Sequence, residues 1–295
     1  MCDKKIKFRN RYIIKVILTL LLLIFTALMF TGCEIDKEVV ENLIEKNLIE
    51  KNQSSSNMEY TITLKEWNEN KHEWDEVQRI GNYRGELVNG IPEGEGIFSA
   101  ANGQGINWSY TGNFSNGTFS GHGKVVWDDG SFQEGTYTEG AFTPRVDELF
   151  CAIGTRSIAP FTITKNNQRF IYEHEDIFTN EKNYSGYDNI MSNDISFAIE
   201  DDLTDVEETL CYCTEALVDK IYINSMYGHT ITFVLVRDRI GSLYILVYDG
   251  EINEIQEQMI VTFTGLPVDK SSFTNDLGTV YEGVVVIASE IRCIY

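Results

Sequence analysis

From Tyr60 the chain alternates apolar and polar positions as Tyr60-Thr-Ile62-Thr-Leu64, breaks at Asn68-Glu-Asn70, and resumes through Trp74 and Val77. A period of two marks a half-buried strand, because successive side chains of an extended backbone point to opposite faces. Two such runs around a turn predict a β-hairpin. Further on, the apolar positions are tied to glycines at fixed spacing. Tyr83-Arg-Gly85-Glu-Leu87-Val-Asn89-Gly90 is followed by Gly94-Glu-Gly96. The phrase returns as Tyr110-Thr-Gly112-Asn-Phe114-Ser-Asn116-Gly117 with Gly121-His-Gly123, and again as Gln133-Glu-Gly135-Thr-Tyr137-Thr-Glu139-Gly140.

Such self-similarity identifies a repeat architecture. Asn-Gly dipeptides accept positive φ at tight turns, so each copy predicts one hairpin. Gly85, Gly112 and Gly135 would let neighbouring backbones approach closely, while Leu87, Phe98, Phe114, Val126, Phe132 and Tyr137 would fill the stack. Tyr83 and Tyr110 are 27 residues apart and Tyr110 and Gln133 only 23, which predicts a longer loop at 100–104. Gln133 takes the place of the third Tyr, and Pro144 falls where the third Gly-x-Gly would begin, so the array is predicted to stop there. The hairpin before Tyr83 would cap the other end, since an unfinished array exposes a strand edge.

These copies resemble MORN (membrane occupation and recognition nexus) repeats over Tyr83 to Phe142. The resemblance implies a β-hairpin solenoid, links to membrane lipid contact and protein association, and no catalytic residue. A lipid-headgroup role needs basic residues, yet Tyr60 to Gly140 holds only Lys65, Lys71, Arg79, Arg84 and Lys124 among many acids. A protein or neutral polymer fits better, with Trp108 and Trp127 as candidates for an exposed binding face.

After Pro144 the glycine rhythm ends. Thr164 can cap a helix running from Lys165 to Phe178, and Glu181 to Asn193 reads as a polar loop. Five apolar, β-branched segments follow, at Cys213 to Ile223, Thr230 to Asp238, Leu243 to Asp249, Gln258 to Thr264 and Gly283 to Ile294, with a long connection from Leu266 to Gly278. They predict a small closed barrel. Their order looks like the OB-fold domains of Gram-positive surface lipoproteins, which would make Phe233, Tyr244 and Tyr248, with Tyr227 nearby, candidates for ligand contact on strands two and three. The fold expected is mainly β: a hairpin solenoid, a small helical connection and an OB-like five-stranded barrel.

Charge and the N-terminus set the compartment. The formal net charge is −21, but residues 1–33 carry six Lys/Arg against one acid, so the rest carries −26. So acidic a surface repels phosphate backbones and excludes nucleic acid as a partner. The basic residues precede an apolar run from Val16 to Phe30, shorter than the ~20 residues of a membrane span and suited to a signal-peptide core. The run ends in Phe30-Thr31-Gly32-Cys33, which resembles the lipobox of bacterial lipoproteins. That implies lipid attachment at Cys33 and a membrane anchor on the extracytoplasmic face; the alternative is an uncleaved signal anchor ending in an incidental cysteine. The expected organisation is a signal peptide at 1–32, a tether at 33–58 containing Asn-Leu-Ile-Glu-Lys twice in tandem, the capped repeats at 59–145, a connection at 146–195 and the barrel at 196–295.

Cys151, Cys211, Cys213 and Cys293 remain in the exported part. Cys211 and Cys213 share a strand face, and either could bridge to Cys293 if the first and last barrel strands are neighbours. No metal site or cofactor is expected. No Gly-x-Ser-x-Gly elbow, phosphate loop or His-Glu-x-x-His pattern occurs. The function expected is non-enzymatic, an envelope protein or wall glycan being the partner. A cell-envelope enzyme with a cleft between the domains, or a toxin-immunity or inhibitor lipoprotein, are the alternatives.

Overall fold

The computed structural model describes residues 57–157, 159–179, 192–195, 203–274 and 280–294. The segment expected to be a signal peptide, Cys33 and almost all of the expected tether lie outside the described residues, as does most of the expected polar loop at 181–193. Strands β1 (Met58–Asn68) and β2 (Glu73–Val88) form the expected hairpin, from Met58 opposite Tyr83 to Asn68 opposite Glu73. Asn68 organises its turn: the side-chain oxygen accepts from the N–H groups of Asn70 and Lys71 at 3.1 and 3.2 Å, and the amide donates to Asp75 at 2.6 Å.

β2 runs unbroken into the first repeat. β3 (Ile91–Ala101), β4 (Asn107–Ser115), β5 (Thr118–Trp127) and β6 (Phe132–Thr138) then follow, each antiparallel to the last. Asn89-Gly90 and Asn116-Gly117 have positive φ at both residues, 53° and 78° and then 51° and 80°. That is the mirror-image turn whose twist suits a hairpin. The extra residues between the first two copies form a loop held by Asn102, whose side-chain oxygen accepts from Gln104 and Ile106 N–H.

The stack does not stay open. A short β7 (Ala141–Phe142) pairs antiparallel with β6 and parallel with β1, where Ala141 faces Lys65, and the seven strands close into a barrel. Strand twist accumulated over seven strands brings the last edge to the first, so the first hairpin is part of the wall. Inside, Tyr83, Phe98, Tyr110, Val125 and Gln133 form one cross-strand row, and Gly85, Gly96, Gly112, Gly123 and Gly135 form the next. A Cβ on Gly85 would stand 2.6 Å from the Gly96 Cα, which is why this row has no side chains. Val126, expected in the stack, faces outward because Val125 takes the interior position.

A helix not foreseen in sequence, α1 (Val146–Arg156), docks on β6. It buries Val146, Leu149, Phe150 and Ile153, the spacing of one helical face. The helix predicted from Lys165 to Phe178 is two: α2 (Lys165–Glu173), capped by Thr164, which accepts from Asn167 N–H, and α3 (Glu175–Phe178), with the break at His174.

The second β unit holds β8 (Ser192–Asp194), β9 (Leu210–Met226), β10 (His229–Asp238), β11 (Leu243–Asp249), β12 (Ile260–Thr274) and β13 (Val280–Cys293), in the order β10-β11-β13-β12-β9-β8. β9 also pairs with β10, so five strands form a circuit, and β11 runs parallel to β13. The stretch from Leu266, expected as a connection, is strand as far as Thr274. Register shifts at Thr264/Gly265 and Pro267/Asp269 bend it, and a bulge is where a strand tolerates proline. Phe233, Leu235, Ile245, Val247, Val285 and Ile287 pack against the helices, while Val234, Val236, Leu246, Val286 and Ala288 fill the other face. Burial on both faces explains the continuous apolar runs in these strands.

Candidate binding cleft

All four tryptophans of the chain line one cleft of about 270 Å³ at the mouth of the repeat barrel. Trp67 and Trp74 are cross-strand partners in the first hairpin, their rings edge to face at 5.4 Å. Trp108 and Trp127 are partners in the second repeat, at the ends of β4 and β5. Gln133 and Tyr137 come from β6, on the barrel's inner side. Two groups from beyond the barrel complete the wall. Arg156, in the last turn of α1, lies over the Trp127 ring at 4.8 Å and donates a hydrogen bond to the Tyr227 hydroxyl at 3.3 Å. Tyr227 belongs to the turn between β9 and β10, where it holds φ 53° and packs edge-on to Phe142 at 4.9 Å.

The cleft is polar as well as aromatic. Gln133 is only 7% exposed; its amide nitrogen donates to the Tyr137 hydroxyl at 3.0 Å, and its amide oxygen has no hydrogen bond among the described residues. Burial pushes the phenols of Tyr137 and Tyr227 up from their ordinary value, so both keep their protons and can donate. Charges at the rim are balanced. Lys65 pairs with Glu139 at 3.1 Å and Glu66 with Arg79 at 2.7 Å, leaving Arg156 and the exposed Glu69 as groups of opposite sign.

Glu148 shows why the array ends where it does. It is 2% exposed and stands over Gly135, where a Cβ would meet its own Cβ at 2.9 Å. One of its oxygens accepts from the N–H groups of Thr136 and Arg145, both at 3.0 Å, and the other lies 3.3 Å from Arg145 Nη2 without hydrogen-bond geometry. The helix thus covers the end of the glycine row with a carboxylate.

Of the residues singled out in sequence, only Trp127 and Tyr227 are accessible parts of this site. Trp108 lines it from the barrel core and is 7% exposed, because alternation in β4 points it inward. Phe233 is buried under the helices, Tyr244 is buried with its hydroxyl donating to Asp238 at 3.0 Å, and Tyr248 packs at the edge of the same core. The face of β10 and β11 expected to bind a ligand is therefore occupied by the protein itself. Trp67, Trp74, Gln133 and Arg156 were not anticipated, and Tyr227 was expected as an aromatic of the barrel's own binding face; the tryptophan pair flanking the first turn and the Gln in a Tyr position were the visible signals.

The anticipated disulfide is also absent. Cys151, Cys211, Cys213 and Cys293 are all free thiols. β12 lies between β9 and β13, with Phe263 opposite Cys213 and Val261 opposite Cys293. Two strand spacings, about 9–10 Å, exceed the Cα separation a disulfide can span. Burial pushes the Cys151 thiol up to about 12 and the Cys211 thiol up to about 11, so neither is a ready nucleophile near neutrality. Among the described residues no group of three His, Cys, Asp or Glu side chains gathers to hold a metal ion.

No curated protein matches the chain in sequence. The MORN repeat family matches residues 83–105 and 110–132, the two copies that build β2 to β5, and so marks this part of the chain as a protein- or membrane-interaction module.

Proposed function

We propose that this chain is a non-enzymatic bacterial lipoprotein, anchored through Cys33 on the extracytoplasmic face of the membrane, whose repeat barrel binds an envelope protein or wall polymer. The observation that carries the binding half is the convergence of all four tryptophans on one cleft at the barrel mouth. Aromatic faces beside a few polar groups are the usual lining of a ligand site. The anchoring half rests on the basic residues, apolar run and Thr31-Gly32-Cys33 of the N-terminus. Two acyl chains on one cysteine would hold the protein stably at a bilayer. The membrane then needs no second contact from an acidic barrel. The five-strand circuit β9-β10-β11-β13-β12, with β11 parallel to β13, supports reading the second unit as an OB-like barrel. With its strand faces covered, that unit serves to place Tyr227 at the cleft.

Metabolic labelling with a clickable fatty acid, with capture from native envelope, tests this reading. The wild type is expected to label and to recover a protein or glycan, and Cys33→Ser to lose the label. Label surviving in Cys33→Ser, or no partner recovered at any salt concentration, would contradict it.

A further inference from the structure

We infer that the cleft is a saccharide subsite, taking one neutral pyranose ring of a polysaccharide; the inference deepens the binding role proposed above and rests on it. The cleft exists because the third repeat departs from the other two. Tyr83, Tyr110 and Gln133 hold the same position in successive copies, and the first two tyrosines bury their rings over the glycine row. A glutamine there fills less of the barrel and brings an amide into it. A sugar ring presents apolar C–H faces and a rim of hydroxyls. Trp67, Trp74 and Trp127 line the cleft with aromatic surface, Trp127 being covered on one side by Arg156, and the Gln133 amide oxygen, the Tyr137 hydroxyl and Arg156 offer acceptor and donors for the rim.

Charge selects among ligands of this size. A quaternary ammonium group would compete with Arg156, which already lies over Trp127. An anion would meet Glu69 at the same rim, and the remaining rim charges are paired within the protein. A purely apolar side chain from a peptide would leave the Gln133 oxygen unpaired in the cleft. A neutral, hydroxyl-rich ring avoids each of these penalties.

Because the chain has no tryptophan outside the cleft, its tryptophan fluorescence, excited at a wavelength tyrosine does not absorb, reports on this site alone. The full chain in lipid nanodiscs, which avoid sugar-headed detergents, is titrated with triacetylchitotriose, maltotriose and choline, and calorimetry accompanies the fluorescence. At least one saccharide is expected to change the emission and release heat, with choline silent. Gln133→Tyr, which restores the repeat's own residue, is expected to abolish both signals while its thermal midpoint shows a folded protein. Should that variant not fold, Trp127→Ala at the rim is expected to weaken saccharide binding about tenfold. Binding of choline alone, or saccharide binding unchanged in the folded Gln133→Tyr and Trp127→Ala proteins, would overturn the inference. Silence toward both saccharides while envelope capture persists would overturn the sugar assignment and leave the binding role standing. Loss of envelope capture as well would remove both.

Discussion

Tyr110 lies so close over Gly123 that a Cβ there would stand 2.3 Å from its hydroxyl oxygen, and that hydroxyl donates to the Asn113 carbonyl at 2.8 Å. The second repeat is locked by this contact. The ring also stacks on Phe119 at 3.7 Å, so it has no room to retreat. With three Tyr110 atoms 2.3–2.4 Å from the new Cβ, Gly123→Ala is therefore expected to destabilise the fold by about 3 kcal/mol or more through overpacking. Gly130→Ala, in a turn with open space around it and φ +84°, should cost only the ~1–2 kcal/mol of a left-handed alanine. Urea denaturation of the two variants separates the effects. Equal costs would show that Tyr110 is free to move.

Glu148→Ala tests the helix that closes the array. Removing the carboxylate leaves the Thr136 and Arg145 N–H groups without their acceptor beside the glycine row. A loss of about 1–3 kcal/mol is expected, with hydrogen exchange rising first at Thr136. Unchanged protection there would mean that water replaces the carboxylate without penalty.

Alkaline pH should weaken folding for a reason the core makes explicit. Burial pushes the Cys211 thiol to about 11 and the Cys151 thiol to about 12, from 9.0, and the Tyr83 phenol to about 12, from 10.0, with Glu86 and Glu93 adding to the last. In each case the folded value is the higher. The stabilising contribution is thus complete below the unfolded value and is lost as pH rises toward the folded one. The urea midpoint is expected to fall from about pH 9 to about pH 12, with the phenolate absorbance of the buried tyrosines appearing as the protein unfolds. A midpoint that stays level over that window would contradict the burial of these groups.

Much of the barrel could be read from the chain because its determinants are local. Asn-Gly turns, period-two alternation and paired glycines act within a few residues, and they placed the first hairpin and every repeat strand. Closure could not be read this way, since it depends on the two-residue β7 meeting β1 some 75 residues earlier, at Lys65 and Ala141. The second unit was legible as five strands, but its sheet order was not. Treating the first and last strands as neighbours made Cys211 or Cys213 a candidate partner for Cys293, where β12 in fact intervenes. The binding candidates Phe233 and Tyr244 failed for a related reason. Aromatic residues in a strand look alike whether protein or solvent covers them: Phe233 lies under helices of which α1 was not foreseen, and Tyr244 packs on the opposite face against Phe263 of β12. The cleft itself draws on both β units and on the end of α1. Only its tryptophans and Gln133 left a trace in the repeat pattern.

The measurement that bears most directly on the central claim, that the mouth of the repeat barrel is the recognition surface, is site-specific photo-crosslinking in native envelope. A photoreactive amino acid is placed at position 127, at the cleft rim, and in a second protein at position 240, a turn residue 78% exposed between β10 and β11. Adducts to an envelope protein or glycan are expected from position 127 and not from position 240. Adducts from position 240 with none from position 127 would contradict the account.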